Sequence, residues 1–500
     1  MAAKRKILIV GGGTAGWLTA AYLAKYLELS ETGPIEITLL ESPEIGIIGV
    51  GEGTFPTIRT TLQFLGIDES RFIRATSATF KQGIRFDDWV RTPADGQHSH
   101  YIHPFEAPFY TEEASLVSYW LLQDEATRPP FAQAVTIQNR VAEAKRAPKR
   151  PHEGEFSGPL NYAYHFDATR LAEILAERAV ELGVTHLQGL LNHVELDETG
   201  AIDHIVSREQ GVLKADLYID CSGFRAELIG KALGSPFKSA RHSLFTNRAL
   251  ACKIPYDRPD GPIESYTIAA AHEAGWTWDI GLNGARGIGC VYSSDHLSDD
   301  RAEAILRDYI GPTSEPIAPR LIPFEAGYRE KQWIKNCVAV GLSAGFLEPL
   351  ESTGVVLIEA AVGMIAELFP HNGPIDGPAR RFNQLITARY DNIVDFLKLH
   401  YCLSQRTEPF WRDNADPASI SERLQDLLIL DLESFAFFNY QYILYGMEFK
   451  TDLSPVRSDF PNVAGANKIF AKIRTFSERA TQDLPAHRAL IQQINAEIFA

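Results

Sequence analysis

Four apolar residues in a row, Ile7 to Val10, run directly into "GGGTAG". A short unbroken apolar run closed by glycines reads as a buried strand. Trp17, Leu18, Ala21, Tyr22, Ala24 and Leu27 then recur at helical spacing, so strand, glycine turn and helix follow one another. "IEITLL" is a second strand, ending at Glu41. "SATFKQGIRF" alternates, with Phe80, Ile84 and Phe86 on one face and Thr79, Lys81, Gly83 and Arg85 on the other. By that pattern alone, Lys81 and Arg85 face solvent. "THLQGLLNHVELDETGAIDHIV" reads as alternating strands with a turn at Glu198, Thr199 and Gly200. "ADLYIDCSGF" (215–224) and "NCVAVGLSAGF" (336–346) read as buried strands entering small-residue turns. "GWTWDIGL" (275–282) is a strand that projects Trp276 and Trp278 from one face. After Gly354 the pattern is mainly helical, with segments near 355–369, 379–399, 418–434 and 465–480. "AKRAPKRPHEGEFSG" (144–158) has the proline, glycine and charge of a solvated surface loop.

Gly11, Gly13 and Gly16 satisfy GxGxxG in the context that gives it force, between a strand and a helix. Gly11 permits the tight turn, Gly13 lets a pyrophosphate approach the backbone, and Gly16 lets helix and strand pack closely. The phosphates would then meet the N–H groups and positive dipole end of the helix. Glu41, at the end of the second strand, can accept the ribose hydroxyls of an unphosphorylated adenosine. A glycine-rich turn with no ligand is the alternative. No second GxGxxG follows a strand, so the sequence offers no evident NAD(P)H domain, and reduced flavin would come from a separate reductase. The series of dinucleotide fold, middle β-layer and late strand–turn–helix resembles FAD-dependent monooxygenases of the glutathione-reductase type.

Composition narrows the partners. The 500 residues carry 48 basic and 64 acidic side chains, a net charge of −16, which disfavours nucleic acid and anionic lipid. Five scattered cysteines, never in a CxxC pair, fit reduced thiols and neither a disulfide framework nor a metal site. No apolar stretch is long enough to span a membrane. The cytoplasm is the expected location.

Several stretches together resemble the flavin-dependent tryptophan halogenases: "GGGTAGW" (11–17), "GVGEGTFP" (49–56), "TFKQGIRFDDW" (79–89), "WTWDI" (276–280), "GLSAGFLEPLESTG" (341–354) and "HYCLSQRTEPFWRD" (400–413). They stand in the family's order. One departure is Gly281, where the family motif continues with proline. The resemblance implies an α/β fold of the glutathione-reductase type, with an FAD-binding module over 1–354 and a helical region over 355–500 packed on it as one body. It implies that FADH2, oxygen and chloride or bromide give hypohalous acid, which halogenates a small electron-rich aromatic. An NAD(P)H-dependent flavin reductase would be the protein partner, and a homodimer is left open.

Residue by residue, the resemblance makes Lys81 the catalytic lysine, either hydrogen-bonding hypohalous acid as an ammonium or forming a haloamine as a free amine. Glu351 becomes the carboxylate that positions the electrophile and takes the ring proton. Thr353 and Gly354 would bind halide at a helix start. Flavin contacts fall on Gly11, Gly13, Thr14, Ala15, Gly16, Glu41, Val50, Gly51, Val194 and Leu342. Trp276 and Trp278 would form a partition that keeps the organic substrate from the flavin, and a pair of core aromatics is the alternative. Glu348 and Glu351 could equally be charges at a helix entry, although Pro349 and Gly354 argue for a turn into a helix.

His103 and Phe105, in "HSHYIHPFE", match residues that line the aromatic pocket, and Tyr440 joins them from "FFNYQYILYGMEF". In that last stretch tryptophan-specific members carry adjacent tyrosines and an acid for the amino-acid head group. Here Gln441 follows Tyr440 and Met447 follows Gly446. Either that clamp is missing, which favours indole or a substituted indole, or a one-residue slip lets Glu448 supply the charge. Rival readings are an FAD monooxygenase that hydroxylates its aromatic directly, and a catalytically silent flavin-binding protein.

Overall fold

A computed structural model describes residues 4–46, 51–111, 114–312, 317–371, 373–430 and 437–496. Val50 therefore lies outside the described residues. Contacts divide the chain into two interleaved units: 1–76, 166–242 and 324–394 form one, and 77–165, 243–323 and 395–500 the other. The boundary expected near residue 354 falls inside the helix Thr353–Glu367 of the first unit.

The first unit is built on a six-stranded sheet. Its order is Thr185–Gln188, Ile35–Glu41, Arg5–Val10, Leu217–Asp220, Cys337–Ala339 and Trp333–Ile334. The first five strands run parallel, with Val10 level with both Leu40 and Asp220. Such strands are covered on both faces, which explains why "ILIV" and "LYID" are apolar without alternation. The helix Thr14–Tyr26 packs against both Ala168–Glu181 and Thr353–Glu367. A core cluster joins Leu8, Val10, Leu40 and Tyr218 of the large sheet to Ile202 and Ile205 of a small antiparallel one. That small sheet, Leu191–Leu196, Ile202–Ser207 and Gly211–Leu213, is the expected middle β-layer.

The second unit centres on a seven-stranded sheet ordered Arg320–Pro323, Arg248–Pro255, Ala285–Tyr292, Gly275–Leu282, Thr267–His272, Gly83–Asp87 and His100–Pro104. "GWTWDIGL" is its middle strand and is buried throughout.

Two sequence expectations need correction here. The alternating stretch from Thr79 is not one strand. Thr79–Lys81 pairs antiparallel with Ala163–His165, whereas Gly83–Asp87 joins the large sheet. Gln82 marks the break, its N–H donating to the Ser265 carbonyl at 2.6 Å. Gly83 follows with φ +158, and a side chain there would overlap the His103 carbonyl. Lys81 is consequently 0% exposed rather than facing solvent. Arg85 is half-buried and pairs with Asp87 at 2.7 Å. The second correction concerns 144–158. Ala147, Pro148 and Lys149 are buried, Ala147 N–H donates to the Pro485 carbonyl at 2.9 Å, and the exposed loop begins only at Pro151. Charge and proline described that segment's composition but not the connection at residues 485–486 that covers it.

Candidate functional site

The expected site residues divide between the units. In the first, Gly11 has φ +116, and a Cβ there would overlap the Cys221 carbonyl on the neighbouring strand. A Cβ at Gly16 would overlap the Gly11 carbonyl, so this glycine brings helix and turn together. Gly13 differs, because its Cβ would meet nothing within 4 Å. It is also the N-cap of the helix Thr14–Tyr26 and makes no side-chain cap bond. Open space before an uncapped helix N-terminus, at Thr14, Ala15 and Gly16, fits a pyrophosphate. Glu41 lies beside Gly12, and its carboxylate is 3.0 Å from His186 Nε2. Gly51 has φ +110. Val194 packs against the core cluster of the sheet. Leu342 lies in the turn Gly341–Ser343, where a Cβ at Gly341 would come within 2.6 Å of Ala15 Cβ. The late segment thus returns to the start of the first helix.

Pro349–Glu351 form one 3-10 turn, Ser352 adopts φ +56, and the helix begins at Thr353. Glu348 and Glu351 are both 0% exposed. Both side chains stand just before the helix that starts at Thr353, sealed from solvent. Thr353 Oγ1 is buried without a hydrogen-bond partner among the described residues, and a Cβ at Gly354 would meet only open space. A buried hydroxyl donor beside free helix N–H groups suits a halide.

In the second unit Lys81 Nζ lies 5.3 Å from the centre of the Phe105 ring. Phe105 N–H donates to the Gln82 carbonyl at 3.1 Å, which ties the aromatic to the residue after the lysine. His103 Nε2 meets Asn439 Oδ1 at 2.9 Å, and its ring stands 5.7 Å from Tyr442 and 6.0 Å from Phe396. Tyr440 lies 5.0 Å from Phe396. Lys81 thus meets Phe105, and His103 joins aromatics from the distant segments 396 and 440–442. Glu448, offered by the one-residue slip, is instead 43% exposed in its side chain and paired with Arg91. Gln441 and Met447 are buried. Trp276 and Trp278 stand 6.3 Å apart on one face, with Trp276 6.5 Å from Trp89.

Sequence reasoning missed two histidines next to the lysine strand. His165 sits opposite Thr79 and so diagonal to Lys81 on the same face. Burial and the nearby Lys81 charge hold it well below the ordinary histidine range. His487 accepts the Phe80 N–H at 3.0 Å through Nε2, with Nδ1 3.1 Å from the Ile263 carbonyl. Burial pushes its pKa down to about 4 from 6.5. No local pattern marks either one, since each acquires its meaning from a strand it meets only in space.

These neutral histidines imply a pH dependence of stability. Unfolded chain takes up a proton at His487 below about pH 6.5 that folded chain takes up only near pH 4. Stability is therefore full above the unfolded value and falls as pH drops from 6.5 toward 4, by at most about 3 kcal/mol for this group. His165 and His272, the latter pushed down to about 3, act in the same direction. Melting temperature measured across that window should decline, and His487→Gln should shallow the decline. An unchanged slope in the variant would show that His487 is not among the titrating groups.

Comparison with known proteins identifies the family. The family model described as tryptophan halogenase matches residues 6–452. The tryptophan 6-halogenase SttH of Streptomyces toxytricini is 37% identical over 445 residues, covering 84% of this chain and 83% of its own. A crystal structure of a tryptophan halogenase from Shewanella frigidimarina superposes with a TM-score of 0.94 at 37% identity, covering 99% and 98% of the two chains. Tar14, a tryptophan C-6 flavin-dependent halogenase from taromycin biosynthesis, gives 0.91 at 34%, covering 99% and 100%. These flavin-dependent enzymes use FAD, reduced by a separate reductase, together with oxygen and halide. No described helix is long and apolar enough to cross a membrane. An FAD-type α/β fold and a family match running almost from end to end place this chain among the tryptophan halogenases, as an FADH2-dependent halogenase.

Proposed function

We propose that this halogenase acts on indole or a substituted indole rather than on free tryptophan, with Lys81 as its catalytic lysine. The observation that carries the reading is the Lys81 ammonium set over Phe105 beside a histidine fixed by Asn439, with Glu448 turned to Arg91. A flat ring held between His103 and Phe105 presents one carbon to the lysine, which is the positioning that electrophilic substitution needs. Among the described residues assigned to this pocket, none offers a carboxylate to an amino-acid ammonium.

Gly11–Gly16, Glu41, Gly51, Val194 and Leu342 would hold FAD, which when bound and reduced would supply, with oxygen, the two-electron oxidation of halide to hypohalous acid. Thr353 and Gly354 hold the halide through hydroxyl and backbone N–H donors. Lys81 donates a hydrogen bond to hypohalous acid and polarises its oxygen–halogen bond; the ring carbon attacks halogen, and the departing oxygen takes the ammonium proton and leaves as water. Glu351 takes the ring proton as aromaticity returns. Trp276 and Trp278 keep the arene from the flavin. Five free cysteines, four of them buried, support a reducing, cytoplasmic setting.

Incubation with FAD, an NADH-dependent flavin reductase, oxygen and bromide should give bromoindole from indole. We expect kcat/KM for indole to exceed that for tryptophan by at least about tenfold, as 1.4 kcal/mol of differential transition-state binding would give. Equal values, or a preference for tryptophan, would overturn the substrate assignment. Oxygenated indole formed without halide would contradict the chemistry itself.

A further inference from the structure

Buried tryptophans normally spend their ring N–H on an acceptor, and four in this chain do so. Trp89 donates to the Ala269 carbonyl at 2.9 Å, Trp120 to Pro129 at 2.9 Å, Trp333 to Lys335 at 3.1 Å and Trp411 to His272 at 2.8 Å. Trp276 and Trp278 do not. Both ring N–H groups are sealed from solvent and meet no acceptor among the described residues, in side chains that are 1% and 8% exposed.

The sheet beneath them explains why. Trp276 lies level with Ala271 on one flanking strand and Val291 on the other, and Trp278 with Ala269 and Gly289. A Cβ at Gly289 would overlap the six-membered ring of Trp278, so this strand gives up its side chain to seat the indole. None of these four residues carries a side-chain acceptor. Trp89, the ring beside Trp276, has its own donor committed elsewhere. Phenylalanine would fill such a floor without burying an unpaired donor, which is an expensive thing to leave in a protein interior. Two of them, side by side on one strand face, point to a guest that accepts hydrogen bonds.

We propose that the ring N–H groups of Trp276 and Trp278 are a hydrogen-bonding station for a small acceptor, either the halide ion or the oxygen of hypohalous acid. The inference rests on the halogenase reading above and adds to the pair's bulk a second task. A neutral N–H holds such a guest less firmly than an ammonium does, so the station detains it briefly and can yield it to a stronger donor such as Lys81.

The test removes the donors and keeps the shape. Both residues are replaced in the full-length protein by β-(3-benzothienyl)alanine, in which sulfur stands where the indole has N–H. Bromoindole formed per FADH2 consumed is then compared with the parent protein, with a dione scavenger present to trap escaping oxidant. The ratio should fall at least about threefold, the order expected for losing one or two neutral hydrogen bonds. A parallel rise in KM for bromide identifies halide as the guest. An unchanged KM with more brominated scavenger identifies hypohalous acid, and either result supports the station. A ratio equal to the parent's with both residues replaced overturns it. Failure of the parent protein to brominate any arene would instead defeat the reading on which the inference rests.

Discussion

Lys81→Ala should abolish halogenation, by at least about 10³-fold, while FAD still binds and is still reoxidised by oxygen. The size follows from the double task given to one ammonium, polarising the electrophile and placing it against the arene, each of which is worth orders of magnitude in rate. Lys81 is 0% exposed, so truncation also leaves a hole. Lys81→Met separates the two effects, because it keeps most of the stem volume and removes only the charged donor. Both variants should be equally dead and only the alanine noticeably less stable. Product mass with bromide and indole, flavin absorbance during reoxidation and melting temperature provide the three measurements. Halogenation surviving in Lys81→Met would remove the lysine from the mechanism.

Gly13→Val should weaken FAD binding without destabilising the protein, and Gly11→Ala should destabilise it without any ligand being involved. The pair separates two uses of glycine that the motif GxGxxG writes identically. A Cβ at Gly13 would meet nothing within 4 Å, and its φ of −79 and ψ of −173 suit a β-branched residue. The change should shift stability by less than about 0.5 kcal/mol, the range of substitutions that disturb no packing. Added methyl groups would occupy the space before the helix N-terminus, and FAD affinity should fall at least about 100-fold, roughly 2.7 kcal/mol. At Gly11 a Cβ would overlap the Cys221 carbonyl, with φ +116 forbidding easy relief. That change should cost about 2 kcal/mol or more. Melting without FAD and titration by flavin fluorescence distinguish the two. Undiminished FAD binding by Gly13→Val would place the pyrophosphate elsewhere.

The two halves of the candidate site were unequally legible. Gly11, Gly13, Gly16 and Glu41 belong to one continuous strand–turn–helix–strand, and Gly341 and Leu342 follow a strand of the same sheet. Such local order survives in a one-dimensional pattern. The lysine's surroundings do not. Alternation assigned Lys81 to solvent, because the strand Ala163–Phe166 that pairs with it, the His487 ring that binds its neighbour Phe80, and the ring of Phe105 all arrive from elsewhere in the chain. Only motif resemblance, not periodicity, pointed to it. The segment 144–158 failed similarly, since its cover comes from residues 485–486.

What the sequence by itself determined is the order of strands, turns and helices, the dinucleotide motif, the shared face of Trp276 and Trp278, and the family. Each of these is carried by neighbours in the chain, through backbone sterics and the two periods of helix and strand. What only the tertiary structure decided is the depth of Lys81, the histidines near it, the Arg91 partner of Glu448, and the two indole N–H groups that meet no acceptor among the described residues. Burial and hydrogen-bond satisfaction depend on which distant residues arrive, so no reading of adjacent letters contains them.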